Sequence, residues 1–203
     1  MPRAEPLQRA ASFEEFLEFE SGSQERHEFV DGNLFVVAGG TDRHNLIAAI
    51  LMSLLLPAAR SQKCWAYIND VLIRTPAGIG YYPDLFVVQD TSHDEPRVKH
   101  HPSIIIEVLS ESTEALVTKV ETWQGQDFDI NSDRGEKWQQ YQTIPSLEMY
   151  VLLPQEQAGA EVFTRQNDGS WRYQKLNATA SLEFPSLNLN VPLEELYRDL
   201  PDA

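Results

Sequence analysis

The sequence predicts a mixed α/β (α+β) domain in which helices pack on a central mixed β-sheet. Three observations carry that prediction. Short β-branched runs, above all Ser103-Ile104-Ile105-Ile106-Glu107-Val108-Leu109-Ser110, read as buried strands. Amphipathic stretches lie between them, the longest running from Thr41 to about Arg60 with Leu46, Ile47, Ile50, Leu51, Leu54 and Leu55 on a wide apolar face. Along the chain these segments order as helix, two strands, helix, strands, one helix and more strands, with no internal repeat.

Composition bounds the function. At 203 residues the chain is long enough for such a sheet and is expected to form one domain, 1–203. Its 42% hydrophobic and 23% charged residues leave little room for long disorder. A single Cys64 excludes an internal disulfide framework and suits a reducing cytoplasm. Nothing at the N-terminus resembles a signal peptide, and Ser53 and Pro57 interrupt the apolar part of 46–59, so no membrane span is expected. The net charge of −15 argues against tight, metal-free, non-specific binding to duplex DNA, which draws on Lys and Arg. A bound metal or a local basic rim can still reverse the field at a site.

Residues 1–10 carry two prolines and read as a loose arm. Ser12 with Glu15 forms a capping box for a short helix ending near Gly22, with Phe13, Phe16 and Leu17 as its apolar stripe. The segment from Glu25 to Val37 predicts two strands joined at Asp31-Gly32, a hairpin signal, with Glu28 in the first. Thr41 or Asp42 caps the long helix, and His44 falls in its first turn. One or two strands follow over 67–74, and Thr75-Pro76-Ala77-Gly78 turns the chain into the strand that begins at Pro83-Asp84. Residues 91–102, with His93, His100 and His101, read as a surface loop.

Residues 111–134 show no clear period. Asp133 opens a helix that stops before Pro145, and strands over 146–153, 160–165 and 171–176 come next. A closing strand and a helix initiated by Pro192 occupy 182–200.

Glu107 is the anomaly within this pattern. A carboxylate in an Ile-Ile-Ile-Glu-Val-Leu run must be paired, bind a cation or reach the strand's open end, because burying it alone costs several kcal/mol. Asp84 stands at the mouth of another apolar strand, Leu85-Phe86-Val87-Val88, after a proline that cannot join the ladder. If the two strands are neighbours, Asp84 and Glu107 offer two oxygen donors suited to Mg²⁺. The plainer accounts are an ion pair for Glu107 and an ordinary turn for Asp84. Lys137 can orient a water or stabilise phosphoryl charge, although its i, i+4 spacing from Asp133 also fits a surface ion pair. Position 109, which shares Glu107's face, is Leu, so a lysine must come from elsewhere. Glu28, His27 and His44 are further candidates for the same cleft, and Cys64, Trp123, Trp138 and Tyr141 read as core or interface residues.

Taken in order, Glu28-Phe29-Val30-Asp31-Gly32, His44, Pro83-Asp84, Ile106-Glu107-Val108 and Asp133-Arg134-Gly135-Glu136-Lys137 with Tyr141 resemble the Uma2 (DUF820) family. That family is abundant in cyanobacteria and falls in the PD-(D/E)XK nuclease superfamily; the match spans about 12–176. The resemblance implies a restriction-endonuclease-like core and a metal-dependent DNA endonuclease. By this carry-over Asp84 and Glu107 ligate Mg²⁺, with Mn²⁺ as a substitute, Lys137 is the catalytic lysine supplied from the following helix, Glu28 is an additional acid, and Asp133 and His44 support the site. Relative to the family pattern, residues 116–132 form an apparent insertion, expected to be a lid, a dimer arm or a displaced loop. The rival expectation is a catalytically inactive, homo-oligomeric regulatory protein on the same scaffold. A homodimer is expected in either case.

Overall fold

The computed structural model describes residues 6–37, 39–89, 94–109, 120–123, 126–129 and 133–201, with the backbone alone at 120–123, 126–129, 133 and 134. The expected loose arm instead contributes a short strand, β1 (Gln8–Arg9), which pairs with Asn33 and Leu34. Helix α1 (Phe13–Gly22) starts at Ser12, whose hydroxyl accepts the Glu15 N–H, and the Glu15 carboxylate reaches back to the Ala11 N–H. Strands β2 (His27–Val30) and β3 (Asn33–Val36) form the predicted hairpin. Asp31 and Gly32 both take positive φ, 49° and 79°, as a two-residue turn of this hand requires.

Helix α2 (Asp42–Ser61) is capped by Thr41, which accepts the His44 N–H, and continues through Pro57. By length and composition alone it could cross a membrane, contrary to the reading that Ser53 and Pro57 rule this out. Its inner face, Ile47, Ala48, Leu51, Leu55 and Ala59, is packed against a sheet, as in a core helix. Each of the Ile and Leu side chains among them contributes roughly 1.5–3 kcal/mol on burial.

Two sheets build the body. The smaller has the order β1-β3-β2-β6-β5-β8, adding β5 (Leu72–Arg74), β6 (Gly80–Tyr81) and β8 (Val98–Lys99). Strand β8 corrects the reading of 91–102 as wholly loop: Val98 and Lys99 are buried and pair in parallel with β5. His101 is exposed and His100 half-buried, while His93 lies outside the described residues. The larger sheet has the order β14-β13-β12-β9-β7-β4 and is mixed. It comprises β4 (Trp65–Ile68), β7 (Leu85–Val88), β9 (Pro102–Val108), β12 (Met149–Leu153), β13 (Gly159–Arg165) and β14 (Trp171–Asn177). Strand β9 runs parallel to β12 and antiparallel to β7.

Side chains of β9 alternate between the two faces of this sheet. Ile104, Ile106 and Val108 pack in the cluster under α2, whereas Ile105 and Leu109 pack in the cluster shared with the smaller sheet. Glu107 therefore faces the second cluster. The 116–132 segment contains a hairpin, β10 (Val120–Trp123) with β11 (Gln126–Asp129).

Asp133–Lys137 is one turn of π-helix that runs into the short helix α3 (Trp138–Tyr141). After β14 come β15 (Ser181–Phe184) and β16 (Leu189–Pro192). The terminal helix α4 (Leu193–Leu196) follows Pro192 as predicted but stops well before Leu200.

Candidate active site

The register of β7 and β9 sets Leu85 opposite Ile106 and Phe86 opposite Ile105. One step further along the same ladder places Asp84 across from Glu107, at the strand ends. The contacts agree: the Asp84 N–H donates to Glu107 Oε2 at 3.3 Å, and Asp84 Oδ2 accepts the Val108 N–H at 2.7 Å. Each acid is thus held by the other's strand. Glu107 is 3% exposed, as its place in an Ile-rich strand demands.

Partners for the buried charge come from two other segments. Lys137 Nζ donates to Glu107 Oε1 at 3.3 Å and lies 3.1 Å from Glu28 Oε1. The Tyr141 hydroxyl donates to the same Glu107 oxygen at 3.2 Å. Lys137 and Tyr141 are four residues apart, so helical geometry puts both on the side that meets β9. A π-turn at this place is a device often found at functional positions, because it re-aims the side chains after it.

The helix that carries Lys137 is anchored at both flanks. Trp138 stacks on Tyr150 at 5.5 Å between ring centroids and meets Trp171 edge-on at 4.8 Å. Arg165 donates to the carbonyls of Gln142, Ile144 and Leu147, closing the orphan acceptors beyond α3. Desolvation pulls the Arg165 guanidinium below its ordinary value.

The fourth contribution comes from the start of α2. His44 Nε2 lies 3.1 Å from Asp84 Oδ2. Gly40 lets the ring sit there, since a Cβ at that position would lie 2.7 Å from Nδ1. Buried Gln155 ties this end of the helix to β9: its amide nitrogen donates to Leu109 O, its amide oxygen accepts from Thr41, and its carbonyl accepts from Arg43.

Sequence reasoning brings Asp84, Glu107, Lys137, Glu28 and His44 together, and the structure does place these five side chains in one cluster. His27 does not join them: its ring pairs with Glu20 on the far side of β2. The Asp133 side chain lies outside the described residues, as do those of the insertion, including Trp123, Asp127 and Asp129. Tyr141 reads from sequence as a core or interface aromatic and as part of the family motif; it is buried, and its hydroxyl serves Glu107. Nothing in the sequence points to Gln155.

The charge balance decides what the cluster can do. Among the described residues, Glu28, Asp84 and Glu107 set three carboxylates against the ammonium of Lys137, with His44 adding positive charge only when protonated. Among the described residues no three His, Cys, Asp or Glu side chains converge as a ready-made metal cage. A pair of carboxylates fits Mg²⁺ nonetheless, because that ion keeps several of its waters and takes one or two protein carboxylates. Two cavities, of about 640 and 660 Å³, lie elsewhere, one along β12 to β15 and the other beside α1.

Comparison with known proteins identifies the fold and the family. The solved structure of a DUF820 "putative nuclease" from Anabaena variabilis superposes with a TM-score of 0.64 at 13% identity, covering 93% of this chain and 98% of that one. The likeness shows a shared fold. Two uncharacterized proteins of Synechocystis sp. are 28% and 26% identical, over 92% and 86% of this chain and 91% and 93% of their own lengths. Residues 13–194, nearly the whole chain and more than the 12–176 of the sequence-level resemblance, match the family described as "Putative restriction endonuclease". With the β-strand pair and the lysine helix in place, the chain belongs to the Uma2 family and has its mixed-sheet, restriction-endonuclease-like fold.

Proposed function

We propose that this protein is a divalent-metal-dependent DNA endonuclease whose site is the Asp84–Glu107–Lys137 cluster. The observation that carries the proposal is the ladder position that sets Asp84 across from Glu107 with Lys137 on the same carboxylate. The excess of negative charge among the described groups suits a dication, and Asp84 and Glu107 are the residues that would hold Mg²⁺ or Mn²⁺. Such an ion supplies charge stabilisation to a phosphodiester under attack. Lys137 orients the attacking water and faces the developing phosphoryl charge, and Glu28 fixes the lysine through their 3.1 Å pair. Tyr141 and His44 hold the outer lone pairs of Glu107 and Asp84, which keeps the two carboxylates aimed at the ion. DNA is the substrate favoured by the family description and by the nuclease fold of the solved neighbour.

The rival reading keeps the scaffold without the chemistry. The pairing of Lys137 with both Glu28 and Glu107 favours it, because an ammonium already partly neutralises the acids. Calorimetric titration of Mg²⁺ and Mn²⁺ into the wild type and Glu107→Gln, beside cleavage of plasmid and single-stranded DNA, separates the two. Binding and cleavage that both require Glu107 support the nuclease. Absence of metal binding together with intact plasmid leaves the acids a structural role.

A further inference from the structure

Helix α2 buries one face and leaves the other in solvent, and that outer face is unlike the rest of the surface. The chain carries a net charge of −15, yet no Asp, Glu, Lys or Arg occurs between Arg43 and Arg60. A surface helix ordinarily turns charged residues outward. Here the outward positions Leu46, Ala49, Ser53 and Leu56 are all exposed, Leu46 by 40% and Leu56 by 38%. Trp65 on β4 is exposed too, but it alternates with Ala66, which packs on the α2 side, and so belongs to the opposite sheet face.

At 3.6 residues per turn, Asp42, Leu46, Ala49, Ser53, Leu56 and Arg60 fall on a single stripe. The stripe is symmetric about the level of Leu51. Laid antiparallel on itself it sets Asp42 against Arg60, Leu46 against Leu56, and Ala49 against Ser53, each pair occurring twice, as an isologous interface requires. Asp42 and Arg60 are exposed and neither forms an ion pair with another described residue.

We propose that this stripe docks on the same stripe of a second copy of the chain, as an antiparallel helix pair about a two-fold axis near Leu51. Three features favour this occupant. The opposite charges at the two ends complement each other only in the antiparallel arrangement. An uncharged middle brings two chains of net charge −15 together where their repulsion is least. Small residues at the centre, Ala49 and Ser53, allow the helices to approach closely. The face is about 30 Å long and 10 Å wide, less than the roughly 800 Å² per partner of a standard interface, so the association is weak and concentration-dependent. The pairing stands independently of whether the site cleaves DNA.

Sedimentation velocity on the full chain, from micromolar into the hundreds of micromolar, tests it. The wild type should pass from monomer to dimer. Ala49→Glu, which places like charges at the centre twice, should raise the dissociation constant about tenfold or more with an unchanged thermal melt. If that variant melts early, Leu56→Gln probes the same stripe. Asp42→Arg and Arg60→Asp should each weaken the dimer, and the double variant should restore it. The restoration is the diagnostic result, since a cation in the first turn of a helix is itself unfavourable. A monomer at every concentration, or a dimer indifferent to these substitutions, overturns the proposal. So does a monomer that co-sediments with phosphatidylcholine–phosphatidylglycerol vesicles and loses that binding on Ala49→Glu.

Discussion

Half-buried Glu20 and buried Glu107 lie on opposite sides of β2 and have opposite surroundings. Glu20 accepts the His27 N–H at 3.0 Å, contacts the His27 ring at 2.9 Å and accepts the Tyr82 hydroxyl at 3.0 Å. These contacts are to an amide, an imidazole and a hydroxyl, and no second carboxylate is among them. Glu107 shares its surroundings with Asp84 and, through Lys137, with Glu28. The half-buried acid is satisfied by neutral or titratable donors, which suffices for stability; the buried one is placed in a crowd of acids, which stability alone disfavours. Under the proposed function, burial of a charge does not by itself mark the site, whereas crowding beside like charges does.

The largest effects should fall on the crowded acid. Glu107→Gln and Asp84→Asn are expected to remove metal binding and cleavage while the fold survives, and Lys137→Ala to slow cleavage about 10²–10³-fold. Thermal melting gives the same contrast without activity. Saturating Mg²⁺, at about 100 times its dissociation constant, should add roughly 2.7 kcal/mol to the wild type and nothing to Glu107→Gln. Retained metal stabilisation in Glu107→Gln would remove the distinction between the two glutamates.

Glu20→Ala should show the reverse pattern. It leaves a buried imidazole and a half-buried phenol without their acceptor, at roughly 2–3 kcal/mol, which lowers the melting temperature by about 5–10 °C. Metal binding and cleavage at 25 °C should be unchanged. If Glu20→Ala loses metal binding in step with the Glu107 variant, both acids serve one site.

Much of the site was legible in the sequence, for a physical reason. A charge inside a β-branched run has few tolerable surroundings, so Glu107 advertised that partners must exist, and Asp84 beside Pro83 marked the matching strand end. Lys137 needed the family resemblance, because i, i+4 spacing from Asp133 has an ordinary explanation on any helix. Gln155 was invisible, since its three links, to Leu109, Thr41 and Arg43, join residues more than 40 positions away and leave no local pattern. The same holds for β8: two residues, Val98 and Lys99, are too short to show a period, and the parallel pairing with β5 is set by the surrounding sheet. The shortened α4 is a matter of context as well, because its Leu193 and Leu196 are buried while Arg198 and Asp199 beyond them are not.

Smaller effects test the hydroxyls that serve each glutamate. Tyr141→Phe removes one donor to Glu107 but leaves Lys137 in place, so metal affinity should fall about tenfold, within the range for an outer partner of a ligand. Lys137→Ala then adds a further loss. If Tyr141→Phe matches wild type in affinity and in cleavage, the tyrosine is core filler.

Tyr82→Phe is its counterpart at Glu20, and its distinguishing effect, a change in the pH dependence of stability, appears at alkaline pH. Burial, and then the nearby Glu20 carboxylate, raise the Tyr82 phenol above its ordinary value near 10. The folded state therefore favours the neutral hydroxyl. A group whose folded pKa is raised contributes stability in full below the unfolded pKa, and that contribution is lost as pH rises above it toward the folded value. Below about pH 9 the two proteins should differ by no more than the lost hydrogen bond, roughly 0.5–1.5 kcal/mol. Above pH 10 the wild type should lose stability more steeply than Tyr82→Phe, which has no phenol to ionise there. Parallel slopes in urea unfolding at pH 8 and pH 10.5 would show that Tyr82 reaches solvent freely, and Glu20 would then no longer stand as the acid satisfied by shielded donors.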